Sequence, residues 1–342
     1  MKTALLHYWL TNVRGGEKVL AALAEMFPDA DIFTHAYRED RMNGLFAGRN
    51  VTESFIARLP FGRKHPQAYL PLLPRASRSL RLDGYDLIVS SESGPIKGIR
   101  KPKGAKHICY CHTPMRYLWD MHDEYYRTAG LGGKIAMRLF TGYLRREDLK
   151  SAESVDRFVA NSAFVAERIK RIYGRDSVVV HPPVDVNFFG AVDGAAGDYY
   201  LFAGASVKYK RLDLAEAACR KMGRRLVVAG GGTVSDEELR ALYAGAKALI
   251  FPGMEDFGIV PVEAQAAGTP VIAFGKGGAL ETVVSGETGL FFREQTVDSL
   301  CEAIEEFEGR SWSCEKCREQ AKRFGVERFK AGIESVVKGV GI

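Results

Sequence analysis

The chain of 342 residues lacks any long hydrophobic run, and no window approaches the roughly 18 consecutive apolar residues of a membrane span. The apolar run at the N-terminus reaches His7 too soon for a secretory signal, so we expect a cytoplasmic protein. The chain has only 13 prolines, no fixed-period repeat and no low-complexity tract, and its 46% hydrophobic content is too high for disorder. These absences leave a globular protein, and the length predicts two domains.

Cysteine is scarce and does not have the spacing of a metal site. The six cysteines do not form the two well-spaced pairs that a zinc ribbon needs. We therefore expect free thiols in a reducing compartment, with no metal or redox role. The cysteines are Cys109, Cys111, Cys219, Cys301, Cys314 and Cys317.

Excess positive charge is confined to the first half of the chain. Residues 1–190 hold 29 Lys and Arg against 20 Asp and Glu, whereas residues 191–342 hold 19 against 22. Within the first half, residues 51–150 hold 18 basic and 9 acidic residues. This asymmetry predicts an anionic polymer or surface near the first domain, and on charge alone both nucleic acid and an anionic membrane fit.

Short apolar runs alternate with helical patterns along the whole chain, which predicts parallel α/β sheets. The expected strands are Thr3–Tyr8, Ala30–Thr34, Leu87–Ser90, His107–Tyr110, Arg157–Ala160, Tyr199–Ala203, Arg225–Ala229, Ala248–Phe251, Val271–Ala273 and Leu290–Phe292. The expected helices are Gly16–Met26, Ala163–Tyr173, Arg211–Lys221, Ser235–Ala244, Pro261–Ala267 and Val297–Glu308.

A proline pair divides the two halves. Pro182 and Pro183 remove two backbone donors, and the polar stretch Asp193–Asp198 follows, so this region is a predicted linker. We expect an N-terminal Rossmann-like domain over 1–181, a C-terminal Rossmann-like domain over 182–320, and a final helix within 321–342 that packs back on the first domain. Ligands of such sheets bind at the carboxyl ends of the strands, here in a cleft between the domains.

Two motifs in the first half suit ligand binding. Gly15 and Gly16 follow the first strand and open a helix, where glycine allows close backbone approach and free N–H groups can contact an anion. His112 follows the strand that contains Cys109 and Cys111, and Pro114 stops that strand. The alternatives are glycines that serve only the turn and a histidine that is structural.

A cationic segment in the second half precedes a helix. Lys208, Lys210 and Arg211 lie where positive charge opposes the helix dipole. A bound polyphosphate would remove that cost, which makes the segment a candidate phosphate site. The alternative is a set of solvated charges.

The most specific motif is a pair of glutamates eight residues apart. Glu255 and Glu263 flank a loop that is expected to become a helix with Pro261 in its first position. Backbone N–H groups of Gly258 and Ile259 can then face a ligand, and two carboxylates can accept hydrogen bonds from hydroxyl groups. An acidic loop that merely caps a helix is the alternative, but it does not explain the glycine-rich turn at 275–278.

Together these motifs resemble the retaining GT-B glycosyltransferases of family 4. The three stretches RGGEKVL, CYCHTPMRYLW and EDFGIVPVEAQAAGTPVIAFGKGGALE resemble bacterial mannosyltransferases of O-antigen and exopolysaccharide assembly most closely. The resemblance implies two Rossmann-like domains with an interdomain cleft, and a hexose donor such as GDP-mannose. It also implies retention of anomeric configuration with neither metal nor other cofactor.

The resemblance implies a role for each motif residue. Gly15 and Gly16 would approach the donor diphosphate or sugar, and His112 would hydrogen-bond the transferred sugar. Lys210, with Arg211 or Lys208, would neutralise the diphosphate leaving group. Catalysis would depend on His112 and Glu255. Glu263 would bind the ribose, and the amides of residues 257–259 would bind sugar hydroxyls. The remaining donor contacts would come from Asp256, Phe257, Gly258, Ile259, Val260 and Glu263.

Two departures from the family pattern bear on function. Ala205 stands where the family often has an arginine, and the junction from Gly230 to Thr233 is short where the family carries a helix and a strand. They motivate an alternative, a non-catalytic nucleotide-sugar-binding or scaffold member of a glycan-assembly complex. A nucleotide-sugar epimerase would need its own acid and base groups, which the sequence does not single out.

The basic residues of the first half form two predicted surface segments. Residues 56–82 mix cations with Leu, Phe and Tyr, and residues 97–106 add further lysines. The mixture suits an anionic membrane surface, and the resemblance implies a lipid-linked glycan acceptor at the inner face of the plasma membrane. No nucleic-acid-binding motif accompanies the charge, and solvated basic loops are the alternative.

Overall fold

The computed structural model describes residues 1–192, 197–205, 207–230 and 234–341. The chain divides into two compact units, with residues 1–180 and 330–342 in unit 1 and residues 181–329 in unit 2. Two features of the sequence fall partly outside the described residues: the polar stretch at 193–198 lacks 193–196, and the short glycine junction lacks 231–233.

The strands are β1 (Thr3–His7), β2 (Asp31–Thr34), β3 (Val51–Glu53), β4 (Leu87–Glu92), β5 (Lys106–Cys111), β6 (Arg157–Ala160), β7 (Ser177–Val179), β8 (Tyr200–Ala203), β9 (Leu226–Ala229), β10 (Ala248–Phe251), β11 (Val271–Phe274) and β12 (Gly289–Phe292). The helices are α1 (Gly15–Met26), α2 (Leu73–Ser79), α3 (His122–Thr128), α4 (Leu131–Ser151), α5 (Ala163–Tyr173), α6 (Val186–Gly190), α7 (Leu212–Met222), α8 (Asp236–Ala244), α9 (Ile259–Ala266), α10 (Ala279–Thr282), α11 (Val297–Glu308), α12 (Cys314–Lys322) and α13 (Val326–Gly339).

The sheet of unit 1 has seven parallel strands in the order β3-β2-β1-β4-β5-β6-β7. The strand order reverses between β1 and β4, where His7 is paired in register with Ser91. Such a reversal leaves a crevice at the carboxyl ends of the two strands, because the helices that follow them cover opposite faces. The fold of unit 1 therefore offers a binding position beside His7 and Ser91.

The sheet of unit 2 has five parallel strands in the order β12-β11-β10-β8-β9. Here the order reverses between β8 and β10, so the corresponding crevice lies after Ala203 and Phe251. The central strands β8, β10 and β11 are buried along their whole length, as expected for a sheet covered on both faces. These two sheets confirm the predicted fold class of two parallel α/β domains.

Several helix ends follow their capping residues. The Ser162 hydroxyl accepts a hydrogen bond from the Val165 N–H at 3.0 Å to begin α5, and Gly174 ends the helix with a φ of 65°. Ser235 and Glu238 form a reciprocal capping box at α8, with distances of 3.1 and 2.7 Å. Such ends are visible in the sequence, and both helices were predicted within one residue.

The expected start of the helix at Pro261 is wrong by two residues. Gly258, with a φ of 87°, is the N-cap, so α9 begins at Ile259 and Pro261 is its third residue. Proline is tolerated there because backbone N–H groups in the first turn have no partner within the helix. The earlier start places the N–H groups of Ile259 and Val260 at the helix terminus.

Lys97 corrects the predicted basic surface. Its side chain is 1% exposed, and its Nζ lies 3.2 Å from Glu92 and 2.8 Å from Asp148. Burial alone lowers the pKa of Lys97, but the charges of Asp148 and Glu92 outweigh that effect and hold this pKa well above its usual value. Lys97 therefore belongs to the core of unit 1 and not to the surface segment 97–106.

All six cysteines are free, and five of them are buried. Burial, the largest cause, raises the pKa of the Cys109 and Cys111 thiols in β5. Cys314 and Cys317 lie on α12. Among the helices of the described residues, none is both long and apolar enough to span a membrane.

Candidate active site

The crevice of unit 1 brings together Gly16, His7 and His112, which are far apart in sequence. A β-carbon on Gly16 would lie 3.4 Å from His112 Nε2 and 3.4 Å from His7 Cε1, so the missing side chain leaves room directly above both rings. The two imidazole centroids are 6.3 Å apart, and His112 Nε2 is 2.9 Å from Ser91 Oγ. The predicted glycine turn and the predicted histidine thus occupy one cluster.

His112 is neutral over the physiological range. Burial, aided by the neighbouring His7, lowers the pKa of His112 to about 3. A neutral imidazole can donate one hydrogen bond and accept one, but its N–H is too weak an acid to protonate a leaving group at neutral pH. The geometry favours a hydrogen-bonding role over general acid catalysis.

His7, Glu17 and Ser91 complete this cluster and were not singled out in the sequence. His7 is fully buried, neither of its ring nitrogens has a hydrogen-bond partner among the described residues, and its Nε2 lies 3.6 Å from Glu17 Oε1. Glu17 also accepts the N–H of Arg14 at 2.9 Å and so fixes the start of α1. The available signal was positional, because His7 ends β1 and Ser91 lies beside it, one residue before the end of β4, at the switch point of the sheet.

The crevice of unit 2 holds an ion pair between Lys210 and Glu255. Lys210 Nζ is 3.0 Å from Glu255 Oε1, and the two side chains are only 15% and 17% exposed. The ammonium is not aligned for a hydrogen bond, and within the described parts of the chain this carboxylate oxygen has no hydrogen-bond partner. The pair therefore places a fixed positive charge beside a carboxylate at the crevice of unit 2.

Glycines give this ion pair its space. A β-carbon on Gly204, which has a φ of 136°, would lie 2.8 Å from Lys210 Nζ, and one on Gly253 would lie 2.8 Å from Lys210 Cα. Neither position can carry a side chain without moving the lysine or its backbone. The loops after β8 and β10 therefore meet closely enough to bring Lys210 to Glu255.

The glycine-rich turn at 275–278 now has a steric explanation. A β-carbon on Gly277 would lie 2.4 Å from the Glu255 carbonyl oxygen, and one on Gly278 would lie 2.3 Å from Phe257 Cα. The Gly278 N–H also donates to that carbonyl oxygen at 2.9 Å. This turn fixes the backbone that presents Glu255.

The remaining residues of the motif have different environments. The Phe257 side chain is buried, with its ring centroid 5.3 Å from that of His181, so only its backbone is available to a ligand. Asp256 is 8% exposed. Glu263 is 7% exposed and accepts a hydrogen bond from the Tyr243 hydroxyl at 3.0 Å.

Lys208 and Arg211 flank the ion pair but do not share its contacts. Arg211 has a left-handed φ of 56°, which is uncommon for a residue other than glycine, and its Nε lies 3.0 Å from Asp213 Oδ1. Lys208 is exposed at the start of a short helical turn. Of the three predicted cations, Lys210 alone contacts Glu255 in the described part of the chain.

Unit 1 also has an arginine groove of about 330 Å³, which we define by its lining residues. The lining includes Arg75, Arg78, Arg81 and Arg100, together with one carboxylate, Asp83. Arg78 is paired with Glu147 of α4 at 2.6 Å. No described contact neutralises the other three arginines, so the groove concentrates positive charge within the predicted segments 56–82 and 97–106.

Two parallel α/β units, each with a polar cluster where its strand order reverses, have the architecture of the GT-B glycosyltransferases. The family model Glycosyltransferase Family 4 matches residues 13–188, more than half of the chain. The model Glycosyl transferases group 1 matches residues 228–324. The chain belongs to glycosyltransferase family 4.

Individual relatives agree with this assignment. The chain is 29% identical over 196 residues to the D-inositol 3-phosphate glycosyltransferase of Mycobacterium tuberculosis, a match that covers 45% of this chain and 41% of that relative. Anabaena HepE in complex with UDP and glucose superposes with a TM-score of 0.69 and 16% identity, covering 99% of this chain and all of that one. Sucrose-phosphate synthase from Thermosynechococcus elongatus gives a TM-score of 0.73 and 17% identity, with 99% of each chain covered. Both structures share the fold.

Proposed function

We propose that this protein is a retaining glycosyltransferase that moves a hexose from a nucleotide sugar to a lipid-linked or polysaccharide acceptor. Membership of family 4 supports the reaction class. The observation that carries the proposal is the ion pair of Lys210 and Glu255, held by glycines at the switch point of unit 2.

The proposed leaving group is a nucleoside diphosphate, whose negative charge grows as the glycosidic bond breaks. Lys210 supplies a cation that is already desolvated and fixed, so little reorganisation is needed when that charge develops. The backbone N–H groups at the start of α9, from Ile259 and Val260, add positive partial charge. Glu255 and the amide of Gly258 would hold sugar hydroxyls.

The proposed role of the unit 1 cluster is to bind the transferred sugar. The space above Gly16 admits a ligand atom beside His112, whose neutral imidazole would hydrogen-bond a hydroxyl. In the two clusters no side chain is assigned as a nucleophile. The reaction proposed is therefore a front-face displacement in which the leaving phosphate assists the acceptor, with retention of configuration.

We further propose that transfer requires no metal, because Lys210 would perform the charge neutralisation that a divalent ion performs elsewhere. The proposed donor is GDP-mannose, on the strength of the three stretches that resemble bacterial mannosyltransferases. Activity that survives exhaustive chelation would support transfer without a metal. Activity restored only by added Mg²⁺ or Mn²⁺ would contradict it.

The proposed partner on the acceptor side is an anionic membrane at the cytoplasmic face. Arg75, Arg81 and Arg100 of the arginine groove support it, because unneutralised guanidinium groups bind phosphate oxygens in bidentate geometry. Lys101 adds less positive charge to this surface than its position suggests, since its Nζ lies 2.6 Å from the carboxylate of Asp156.

A donor screen tests the proposed function. The purified chain is incubated with GDP-mannose or UDP-glucose and a lipid extract as acceptor source, and the released nucleotide is measured. GDP release that is lost in Glu255→Ala, and retained when the surface residue Glu216 is changed to Ala, is the expected result. UDP release instead would change the donor and keep the reaction class.

Failure to bind any nucleotide would favour the non-catalytic alternative. Calorimetry with GDP, UDP and both nucleotide sugars at millimolar concentration separates the two, because a transferase must bind its donor. Binding without nucleotide release in any acceptor extract would also favour a binding or scaffold role.

A further inference from the structure

The N-terminal part of α4 buries no side chain in the hydrophobic core of unit 1. The helix runs for 21 residues from Leu131 to Ser151, and its buried residues are Leu144, Asp148 and Ser151. All three lie in the C-terminal half, so the first twelve residues contribute no buried side chain to unit 1. Packing against the fold does not explain why these residues are apolar.

Those residues form an exposed apolar face. Leu131 is 79% exposed, Ile135 is 52% exposed and Leu139 is 69% exposed, and their spacing of four places them along one side of the helix. Phe140 is 39% exposed and lies on another side of the helix, outside this stripe. A contiguous exposed apolar surface of this kind marks an interaction site and is not a usual solvent-facing surface.

The segment of the chain that carries this face contains charges of a single sign. From residue 125 to residue 146 the chain contains five cations and no Asp or Glu. Lys134 and Arg138, four residues apart, form a row beside the apolar stripe, where their long side chains can extend past an apolar boundary to reach phosphate groups. The cations of this segment are Arg127, Lys134, Arg138, Arg145 and Arg146.

We propose that the N-terminal half of α4 inserts its apolar face into the headgroup region of an anionic lipid bilayer. A second copy of the chain fits less well, because pairing two such faces would bring two sets of unneutralised cations together. The charges of Lys134 and Arg138 keep the helix parallel to the surface, as in other interfacial amphipathic helices. This inference deepens the proposed membrane partner, because it adds an apolar anchor separate from the arginine groove.

Vesicle flotation tests the proposal on the full chain. The variant Leu131→Ser/Ile135→Ser/Leu139→Ser is compared with a control that makes the same kind of change at exposed apolar residues elsewhere, Leu45→Ser/Val178→Ser/Leu280→Ser. Both are mixed with vesicles of phosphatidylcholine, with and without phosphatidylglycerol. We expect the α4 variant to bind the anionic vesicles about tenfold or more weakly than the wild type, because insertion scales with buried apolar area, and the control to bind normally.

Equal binding by the α4 variant and the control would overturn the inference. A change in sedimentation coefficient caused by the α4 substitutions would also overturn it, since the face would then join two copies. A third variant, Arg75→Ser/Arg81→Ser/Arg100→Ser, locates the contact. Loss of binding in this variant alone would place the membrane contact at the arginine groove and refute the anchor.

Two further readouts keep this test separate from the proposed reaction. The circular dichroism spectrum and the calorimetric affinity for GDP are expected to be unchanged in the α4 variant, so weaker flotation would not reflect unfolding. A wild-type chain that floats but releases no nucleotide would contradict the proposed reaction and leave the α4 inference intact.

Discussion

Unit 1 and unit 2 place their polar clusters at the same point of their sheets but use opposite chemistry. The cluster in unit 1 is built from imidazoles, and burial keeps His112 uncharged. The cluster in unit 2 is an ion pair, with Lys210 and Glu255 both partly accessible. A neutral imidazole suits a sugar hydroxyl and a fixed ammonium suits a diphosphate, so the proposal gives His112 and Lys210 different roles.

The two units also differ in the environment that each gives to a lysine. Lys97 in unit 1 is completely enclosed between Glu92 and Asp148, and the latter also accepts a hydrogen bond from Trp119 at 2.8 Å. Lys210 in unit 2 has one carboxylate contact and remains 15% exposed. The first lysine is part of a folded core, whereas the second is the lysine to which the proposal assigns a ligand.

Replacing Lys97 should have the largest effect on stability. Lys97→Met leaves the carboxylates of Glu92 and Asp148 buried without their cation, which we expect to lower the free energy of unfolding by about 3–5 kcal/mol. Denaturant unfolding measures this. Lys101→Met, at a more exposed ion pair with Asp156, is the control and should change the free energy by less than about 1 kcal/mol. A loss for Lys97→Met no greater than that control would contradict the structural role of this cluster.

Replacing Lys210 should lower activity and leave stability almost unchanged, the reverse of what we expect for Lys97. We expect Lys210→Met to reduce kcat by a factor of about 10²–10³, because the developing negative charge loses its cation, and to change unfolding only slightly. Nucleotide release measures the first effect and denaturant unfolding the second. Lys221→Met is the matched control, since Lys221 forms a surface ion pair with Asp298. Full activity in the Lys210 variant would remove this residue from the site.

Mild acid should destabilise unit 1 before unit 2. Burial lowers the pKa of His35 to about 3, of His107 to about 4 and of His112 to about 3. Below pH 6.5 the unfolded chain binds protons that these folded residues exclude, so stability falls as pH falls from about 6.5 to 4. Each histidine contributes up to about 1.4 kcal/mol per pH unit.

Hydrogen exchange at pH 7 and pH 5, read by mass spectrometry, follows the two units separately. Unit 2 contains a single histidine, His181, and serves as the internal control. His107→Gln should reduce the slope of stability against pH in unit 1. Protection in unit 1 that is independent of pH over this interval would show that the buried histidines are not held neutral.

The smallest expected effect is that of replacing Gly16, which should lower activity without lowering stability. Gly16→Ala should leave the fold unchanged or stabilise it by up to about 1 kcal/mol, because alanine favours a helix. Its methyl group would lie 3.4 Å from His112 Nε2 and fill the space assigned to the sugar, so we expect about a tenfold loss of nucleotide release. Lower stability together with unchanged release would contradict that assignment.

Much of the sheet architecture could be predicted because buried parallel strands are continuous apolar runs. The strands β6 and β10 were predicted to the residue, and most others within one or two residues. The strands β3 and β7 were missed because they are three residues long and partly exposed at the sheet edges. Helix α4 was missed because Gly132 and Gly133 weaken its helical signal and its apolar residues face outward.

The candidate site was predictable only in part, because its motifs are local and its clusters are not. The sequence indicated His112, Gly16, Lys210 and Glu255 one by one, each at a strand end or loop. It could not show that Gly16 lies over His112, or that Gly278 supports the backbone beside Glu255, since those contacts depend on tertiary packing.

Calorimetric titration with GDP tests the proposed roles of Lys210 and His112 most directly. The wild type, Lys210→Met and His112→Ala are titrated under the same conditions. We predict that Lys210→Met weakens GDP binding about tenfold or more, because a partly buried cation no longer meets the diphosphate, while His112→Ala binds GDP as the wild type does. Unchanged GDP affinity in Lys210→Met, combined with lost affinity in His112→Ala, would contradict the account.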